Sequence, residues 1–201
     1  GGRTPVAVNG KILGNPLSNQ VDWSKLIVFF SDERCVPPDH PASNYRMLNE
    51  TLFKPIGIPA KNIYRMEGEI NPSDGAARYE ERLRRAFPGE ALPRIDLALL
   101  GLGPDGHTAS LFPGRPVLQE RGRLAAAAGK GPEGLERITL TYPVINNASH
   151  IWFMVCGAEK KEVVKTLLGS EAAPDRCPAC GVRPINGRLL YIVEQQAISS
   201  Y

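Results

Sequence analysis

The chain contains no run of 18 apolar residues, so no segment reads as a membrane-spanning helix. No basic stretch leads into an apolar core, so no signal peptide is visible. Internal repeats and low-complexity tracts are missing, which removes repeat architectures. Neither sign of charge is in excess: 24 Lys and Arg stand against 21 Asp and Glu, a net +3. That balance is too small for a nucleic-acid footprint, and the basic residues are scattered apart from Arg82, Arg84 and Arg85. Cysteine is scarce, at four residues. Cys177-Pro178-Ala179-Cys180 has CxxC spacing but no second pair and no nearby histidine, which falls short of a zinc site. Cys35 and Cys156 lie in or beside apolar runs and read as buried free thiols, a usage that fits a reducing, cytoplasmic compartment. No G-x-S-x-G elbow is present, so no serine nucleophile is indicated.

What is present is ordinary for a globular chain: 201 residues, 42% hydrophobic and 22% charged. One domain of this length buries a full core without disulfides or metals. Leu26-Ile27-Val28-Phe29-Phe30 is apolar without alternation and reads as a buried parallel strand. Ser43 is an N-cap for a helix from about Asn44 to Lys54, with Tyr45, Leu48, Leu52 and Phe53 inward. Asn71-Pro72-Ser73 opens a second helix that runs to about Phe87 and stops at Pro88-Gly89. Ile95 to Leu100 and Ile151 to Cys156 are further buried strands. Leu124 to Ala128, Arg137 to Thr141 and Leu189 to Val193 are shorter ones, and Gly129 to Gly134 is a loop. A helix follows from about Glu159 to Leu168, and Gly169 to Pro184 reads as an extended surface loop. Strands alternating with helices predict a Rossmann-like layered α/β domain, its sheet mostly parallel and flanked by helices.

In such sheets ligands bind beyond the carboxyl ends of the strands. Three strands here end in Asp32-Glu33-Arg34, in Gly103-Pro104-Asp105-Gly106-His107, and in Gly157-Ala158-Glu159-Lys160. His107 is a natural general base, and Asp105 stands two residues away to orient its ring. A histidine that only caps the following turn fits the spacing equally well. Arg34 offers a bidentate fork for a phosphate or carboxylate, while a structural ion-pair cluster accounts for Asp32-Glu33-Arg34 as readily. Lys160 in a first helical turn is poorly placed for the helix dipole and makes better sense beside a phosphate, against the alternative of a solvated lysine near Lys161 and Lys165. Gly1-Gly2-Arg3-Thr4-Pro5 has the composition of a phosphate-cradling turn at a helix start.

These segments resemble the 6-phosphogluconolactonase family in order and spacing over nearly the whole chain. The resemblance rests on Ser31-Asp32-Glu33-Arg34-Cys35-Val36-Pro37, on Ser43-Asn44-Tyr45, on the stretch from Gly101 to Pro113, on Arg137-Ile138-Thr139-Leu140-Thr141, and on Gly157 to Lys160. The glucosamine-6-phosphate deaminases of the same superfamily share the Asp-Gly-His turn but carry a catalytic Glu five residues after the histidine. Here that position is Phe112. The resemblance implies hydrolysis of 6-phospho-D-glucono-1,5-lactone, with no metal and no cofactor, because the lactone is already an activated ester. The implied catalytic residues are His107, Asp105, Arg34 and Asp32, with Asp32 holding Arg34 or a sugar hydroxyl and the N–H groups of the Gly103–His107 turn beside the oxyanion. The implied substrate and phosphate contacts are Gly1, Gly2, Thr4, Arg137, Lys160, Gly103 and Gly106. The expected partner is the sugar-phosphate lactone alone, with no nucleic acid and no membrane, and the expected state a monomer or weak homodimer. A deaminase or a non-catalytic sugar-phosphate binder are the alternatives. The chain departs from the pattern in three places: the first strand and helix of the family are expected to be missing, Arg3 stands where a Ser is common, and Leu190-Tyr191-Ile192-Val193-Glu194 replaces a Trp-Phe-x-Asp.

Overall fold

The structure is a computed structural model that describes residues 3–169 and 173–198. Helix α1 (Arg3–Leu13) begins immediately after the tandem glycine. Then follow β1 (Val28–Phe29), β2 (Asp32–Arg34), α2 (Asn44–Leu48), α3 (Lys54–Ile56), β3 (Ile63–Tyr64), α4 (Pro72–Ala86) and β4 (Leu97–Gly101). Strands β5 (Ala125–Lys130) and β6 (Glu136–Leu140), helix α5 (Tyr142–Asn146), β7 (His150–Val155), α6 (Lys161–Leu168) and β8 (Arg188–Val193) complete the order.

Local chemistry fixes the ends of these elements. Ser43 Oγ accepts from the Arg46 N–H at 3.1 Å, which makes Ser43 the cap of α2 as expected. A π turn over Asn49–Phe53 then carries the helix into α3, which stops at Gly57 in the left-handed conformation (φ 71°). Asn71 caps α4 through the Ser73 N–H at 2.9 Å, with Pro72 at the first helical position. Helix α4 buries Ala76, Tyr79 and Leu83. The Tyr79 hydroxyl donates to Phe30 O (3.0 Å) and accepts from Phe30 N (2.8 Å), tying α4 to the end of the first apolar run.

Three small sheets share one hydrophobic core. Strands β4, β7 and β8 are parallel, as are β1 and β3. Strands β2, β6 and β5 form an antiparallel sheet, so the fold is α/β with parallel strands while its middle portion runs antiparallel. The expected loop over 129–134 shrinks accordingly. Strand β5 reaches Lys130, and a tight turn leads back into β6.

Four expectations are corrected here. The run from Leu26 contributes only Val28–Phe29 to a strand, and Leu26 and Ile27 are exposed. In the β4–β7–β8 sheet, Leu100, Ile151, Phe153 and Val155 are buried. The opposite face is open, with Leu97 38% and Leu99, Leu190 and Ile192 each 47% exposed. Side chains alternate across a strand, so an uninterrupted apolar run does not by itself show that both faces are covered. Finally, the 169–184 segment is not a surface loop throughout. Cys177, Pro178, Ala179 and Val182 are buried, and Tyr142 Oη donates to Pro178 O at 2.7 Å. Cys156, expected inside, is exposed.

Cys177 therefore matters to packing. It is 2% exposed, and its Sγ lies so close to Gly106 that a Cβ added there would stand 2.9 Å away. Cys177→Ser places a hydroxyl in that apolar contact and should destabilise by about 1–2 kcal/mol. The half-buried Cys180 should tolerate serine within roughly 0.5 kcal/mol. Thermal melts of the reduced single variants test the difference, and equal melting temperatures would remove the packing role.

Candidate active site

The turn after β4 folds back on itself. Gly103 N donates to His107 O (2.8 Å) and Gly106 N to Gly103 O (3.0 Å), with Gly106 at φ 83°. A Cβ on Gly103 would overlap the His107 ring, so only glycine lets the imidazole lie across the turn. Ala179 N donates to Gly106 O at 2.9 Å and anchors the turn from the cysteine segment. Within this frame Asp105 Oδ1 lies 2.5 Å from His107 Nδ1 and accepts from His107 N at 3.1 Å. Burial alone would raise the Asp105 carboxyl, but the hydrogen bonds and charge of His107 outweigh it and hold Asp105 below its ordinary value. An ionised Asp105 assigns the proton to Nδ1 and leaves Nε2 with its lone pair. Nε2 has no protein partner among the described residues.

One expectation about this turn is corrected. The N–H groups of Gly103, Gly106 and His107 are spent within the turn, so they are not free to bind an oxyanion. Gly103 and Gly106 act by shape, bringing the backbone under the imidazole.

The second half of the site comes from β2 and β6. Their register sets Arg34 opposite Arg137 and Asp32 opposite Thr139. Two like charges directly opposite destabilise a strand pair unless carboxylates intervene. Here two do. Asp32 Oδ2 accepts from Arg137 Nη1 (3.3 Å), and Glu133 in the β5–β6 turn reaches Arg137 Nη2 and stands 3.6 Å from Arg34 Nε. Burial pulls the Arg137 guanidinium below its ordinary value; Asp32 opposes this most, Arg34 adds to it, and Glu133 opposes it again. Arg34 Nη1 donates to Ala42 O (2.9 Å) and Asn44 Oδ1 (2.7 Å). The Nε atoms of both arginines are buried without an acceptor. Asp32 is itself buried, taking Ser110 Oγ at 2.6 Å and Asn44 Nδ2 at 3.2 Å. It therefore holds Arg137 rather than Arg34 and has little capacity left for a sugar hydroxyl.

Phe112 joins the two halves. Its ring centroid lies 4.7 Å from that of His107, and the Arg137 guanidinium carbon lies 5.9 Å from the Phe112 centroid. Ser110 reaches Asp32 through a turn strained at Ala109 (φ 48°), and its N–H donates to Thr139 Oγ1 at 3.2 Å. Lys160 ends a short 3-10 turn after β7, before α6. Burial pulls its ammonium below the ordinary value, and the carboxylates of Glu159 and Asp105 oppose that, so Lys160 shares the field of the Asp105–His107 pair. Hydrogen bonds, ion pairs and ring contacts thus link Asp105 and His107 through Phe112 to Arg137, Asp32 and Arg34, and the charge of Asp105 reaches Lys160. Thr4 lies in the first turn of α1, and no hydrogen bond joins it to that cluster among the described residues. Gly1 and Gly2 lie outside the described residues.

Glu33 is the residue whose part the sequence conceals. It is buried, with Oε1 accepting from Arg34 N (2.8 Å) and Asn44 N (2.7 Å) and Oε2 from Tyr45 N (2.8 Å) and Ser43 Oγ (3.0 Å). Burial pushes its carboxyl up despite these four donors. It clamps β2 to the start of α2 and so carries Arg34 to the site. The N-cap signal at Ser43 announced a helix start, but only the fold shows a second carboxylate seated on it. Among the described residues no group of three or more His, Cys, Asp or Glu is placed to hold a metal ion.

The chain is similar to known proteins over nearly its whole length. Residues 1–191 match the family described as glucosamine-6-phosphate isomerases/6-phosphogluconolactonase. A 6-phosphogluconolactonase from Nostoc is 39% identical over 205 residues, spanning 98% of this chain and 84% of that protein. One from Synechocystis is 41% identical over 201 residues, spanning 98% of this chain and 80% of that protein. The crystal structure of a 6-phosphogluconolactonase from Thermotoga maritima superposes with a TM-score of 0.81 at 31% identity, spanning 96% of this chain and 83% of that one.

Proposed function

We propose a reaction from an established premise: this chain belongs to the glucosamine-6-phosphate isomerase/6-phosphogluconolactonase family. Within the family it is a lactonase, which hydrolyses 6-phospho-D-glucono-1,5-lactone to 6-phospho-D-gluconate. The observation that carries this reading is the Asp105–His107 pair packed at a tilt against Phe112, where the resemblance gives the deaminases their relay carboxylate. Without that carboxylate the site has a base for water and no second group for the proton relay of an isomerisation.

His107 Nε2 takes a proton from water as the oxygen attacks the lactone carbonyl carbon. It returns that proton to the ring oxygen as the carbon–oxygen bond breaks, leaving the acid and a free hydroxyl. Asp105 holds the tautomer and offsets the imidazolium charge of the intermediate. Arg34 serves the carbonyl end, where a guanidinium stabilises the developing oxyanion, and Arg137, expected among the phosphate contacts, is assigned beside it because the β2–β6 register sets the two opposite each other. Asp32, Ser110 and Glu33 position the two arginines. Lys160 takes the phosphate at the other end, and Gly1, Gly2 and Thr4 remain phosphate candidates through their place at the start of α1. Four free thiols support a reducing, cytoplasmic setting.

Acid release from the phosphorylated lactone, with no ammonia from glucosamine 6-phosphate, is the expected result. Ammonia release would establish the deaminase, and ligand binding without turnover the sensor. Lys160→Ala should raise KM roughly 10- to 100-fold while kcat moves less, because a phosphate remote from the carbonyl supplies mostly uniform binding. An unchanged KM would remove Lys160 from the phosphate site.

A further inference from the structure

The turn Gly131-Pro132-Glu133-Gly134 is closed by Gly134 N donating to Gly131 O at 2.9 Å. Its backbone lies directly on the Arg137 guanidinium: a Cβ on Gly131 would come within 2.9 Å of Arg137 Nε and 3.0 Å of Nη2. The turn thereby hangs one carboxylate oxygen, Glu133 Oε1, between Arg137 and Arg34. The Glu133 side chain is 39% exposed and makes no other hydrogen bond among the described residues. A group held only by the two arginines, on a surface turn, is free to be exchanged for another anion. The Nε atoms of both arginines are buried without acceptors, Arg137 Nε under Gly131, so an incoming anion meets the pair by taking the place of the Glu133 carboxylate.

We propose that Glu133 is a built-in competitor for the carboxylate of the product, and that it speeds product release. The inference rests on the lactonase reading above, with the arginine pair at the carbonyl end. Substrate and product differ there in charge. The lactone presents a neutral carbonyl, and hydrolysis turns it into a carboxylate that two guanidinium groups would grip bidentately. A site built only to stabilise the oxyanion would retain its own product. Glu133 offers the arginines an equivalent anion tethered to the chain, so the product must bind against it. Its charge thus discriminates against the carboxylate more than against the neutral lactone.

The test compares two ligands by calorimetry on wild type and Glu133→Gln: 6-phosphogluconate, and glucitol 6-phosphate, which has the phosphate but no carboxylate. The glutamine variant should bind 6-phosphogluconate roughly 5- to 30-fold more tightly, the scale expected for losing one partly exposed competing ion pair in a network. It should bind glucitol 6-phosphate within about twofold of wild type, since that ligand never meets the competitor. Glu133→Asp, which keeps the charge, should stay close to wild type, and product inhibition during turnover should sharpen in Glu133→Gln alone. Equal tightening of both ligands would overturn the proposal by showing a general anion effect, and so would unchanged or weaker binding of 6-phosphogluconate. Failure of wild type to turn over the lactone would strike the lactonase reading instead, and the binding comparison remains decisive for Glu133 either way.

Discussion

Replacing His107 by alanine is expected to lower kcat by about 10²–10⁴-fold per folded molecule, the usual worth of a positioned general base. The expectation comes from geometry. Asp105 occupies Nδ1 at 2.5 Å, the turn places glycine under the ring, and Phe112 supports its face, so the imidazole is held in one orientation with Nε2 available. If His107 only capped its turn, the variant would lose stability while the folded fraction kept full kcat. Circular dichroism together with kcat per folded molecule separates the two, and near-wild-type kcat in a folded variant would sink the mechanism. Asp105→Asn is the companion: its amide can still meet the ring but no longer offsets an imidazolium, so kcat should fall while KM changes little.

The pH profile follows from the same pair. Protonated imidazole cannot accept a proton from water, so kcat should fall on the acid side. Asp105 is held below its ordinary carboxylate value, so it stays charged through that limb and the loss belongs to the imidazole. In Asp105→Asn the acid limb should remain, at a lower kcat, because the base that must be unprotonated is still His107. Spontaneous hydrolysis of the lactone rises with pH and has to be subtracted before either limb is read.

Much of this site is legible in the sequence because strand ends are. Asp32-Glu33-Arg34, the Gly103–His107 turn and the Gly157–Lys160 turn each follow an apolar strand, and Phe112 links the His107 turn to Arg137, which pairs with the Arg34 strand. What is not legible is register. Periodicity cannot say that β6 runs against β2, and only that pairing puts Arg137 opposite Arg34 and makes Asp32 the partner of Arg137. Glu133 is invisible for the same reason, since a turn residue's reach depends on which strands the turn joins. The free N–H groups expected of the glycine turn are likewise a property of its internal hydrogen bonds, which composition does not reveal. The cysteine segment misled because Pro, Gly and Cys together look like a surface loop, whereas here Cys177 and Ala179 fill the space beneath Gly106.

The second large effect is expected at Glu33, which touches no substrate. Glu33→Ala strands the N–H groups of Arg34, Asn44 and Tyr45 and the Ser43 hydroxyl, all of which now converge on one carboxylate. Four hydrogen bonds to a charged group, at about 1.5–3 kcal/mol each, would sum to about 6–12 kcal/mol. The wild type already carries the cost of burying that charge, seen in the upward push on its pKa, and the alanine variant is relieved of it. The net loss should therefore be about 3–5 kcal/mol, a melting temperature lower by roughly 10 °C for a domain of this size. Arg34 rides on the same clamp, so the folded fraction should also lose turnover, though less than His107→Ala. Glu33→Gln sharpens the test. It removes the buried charge and keeps the volume, but it points an NH₂ group at two of the four donors. If the burial penalty dominated, Glu33→Gln would melt at or above wild type. If the converging donors dominate, as the four short contacts argue, it should melt well below. A glutamine variant as stable as wild type would show that the clamp needs only shape, and the charge at the start of α2 would then need another reason to be there.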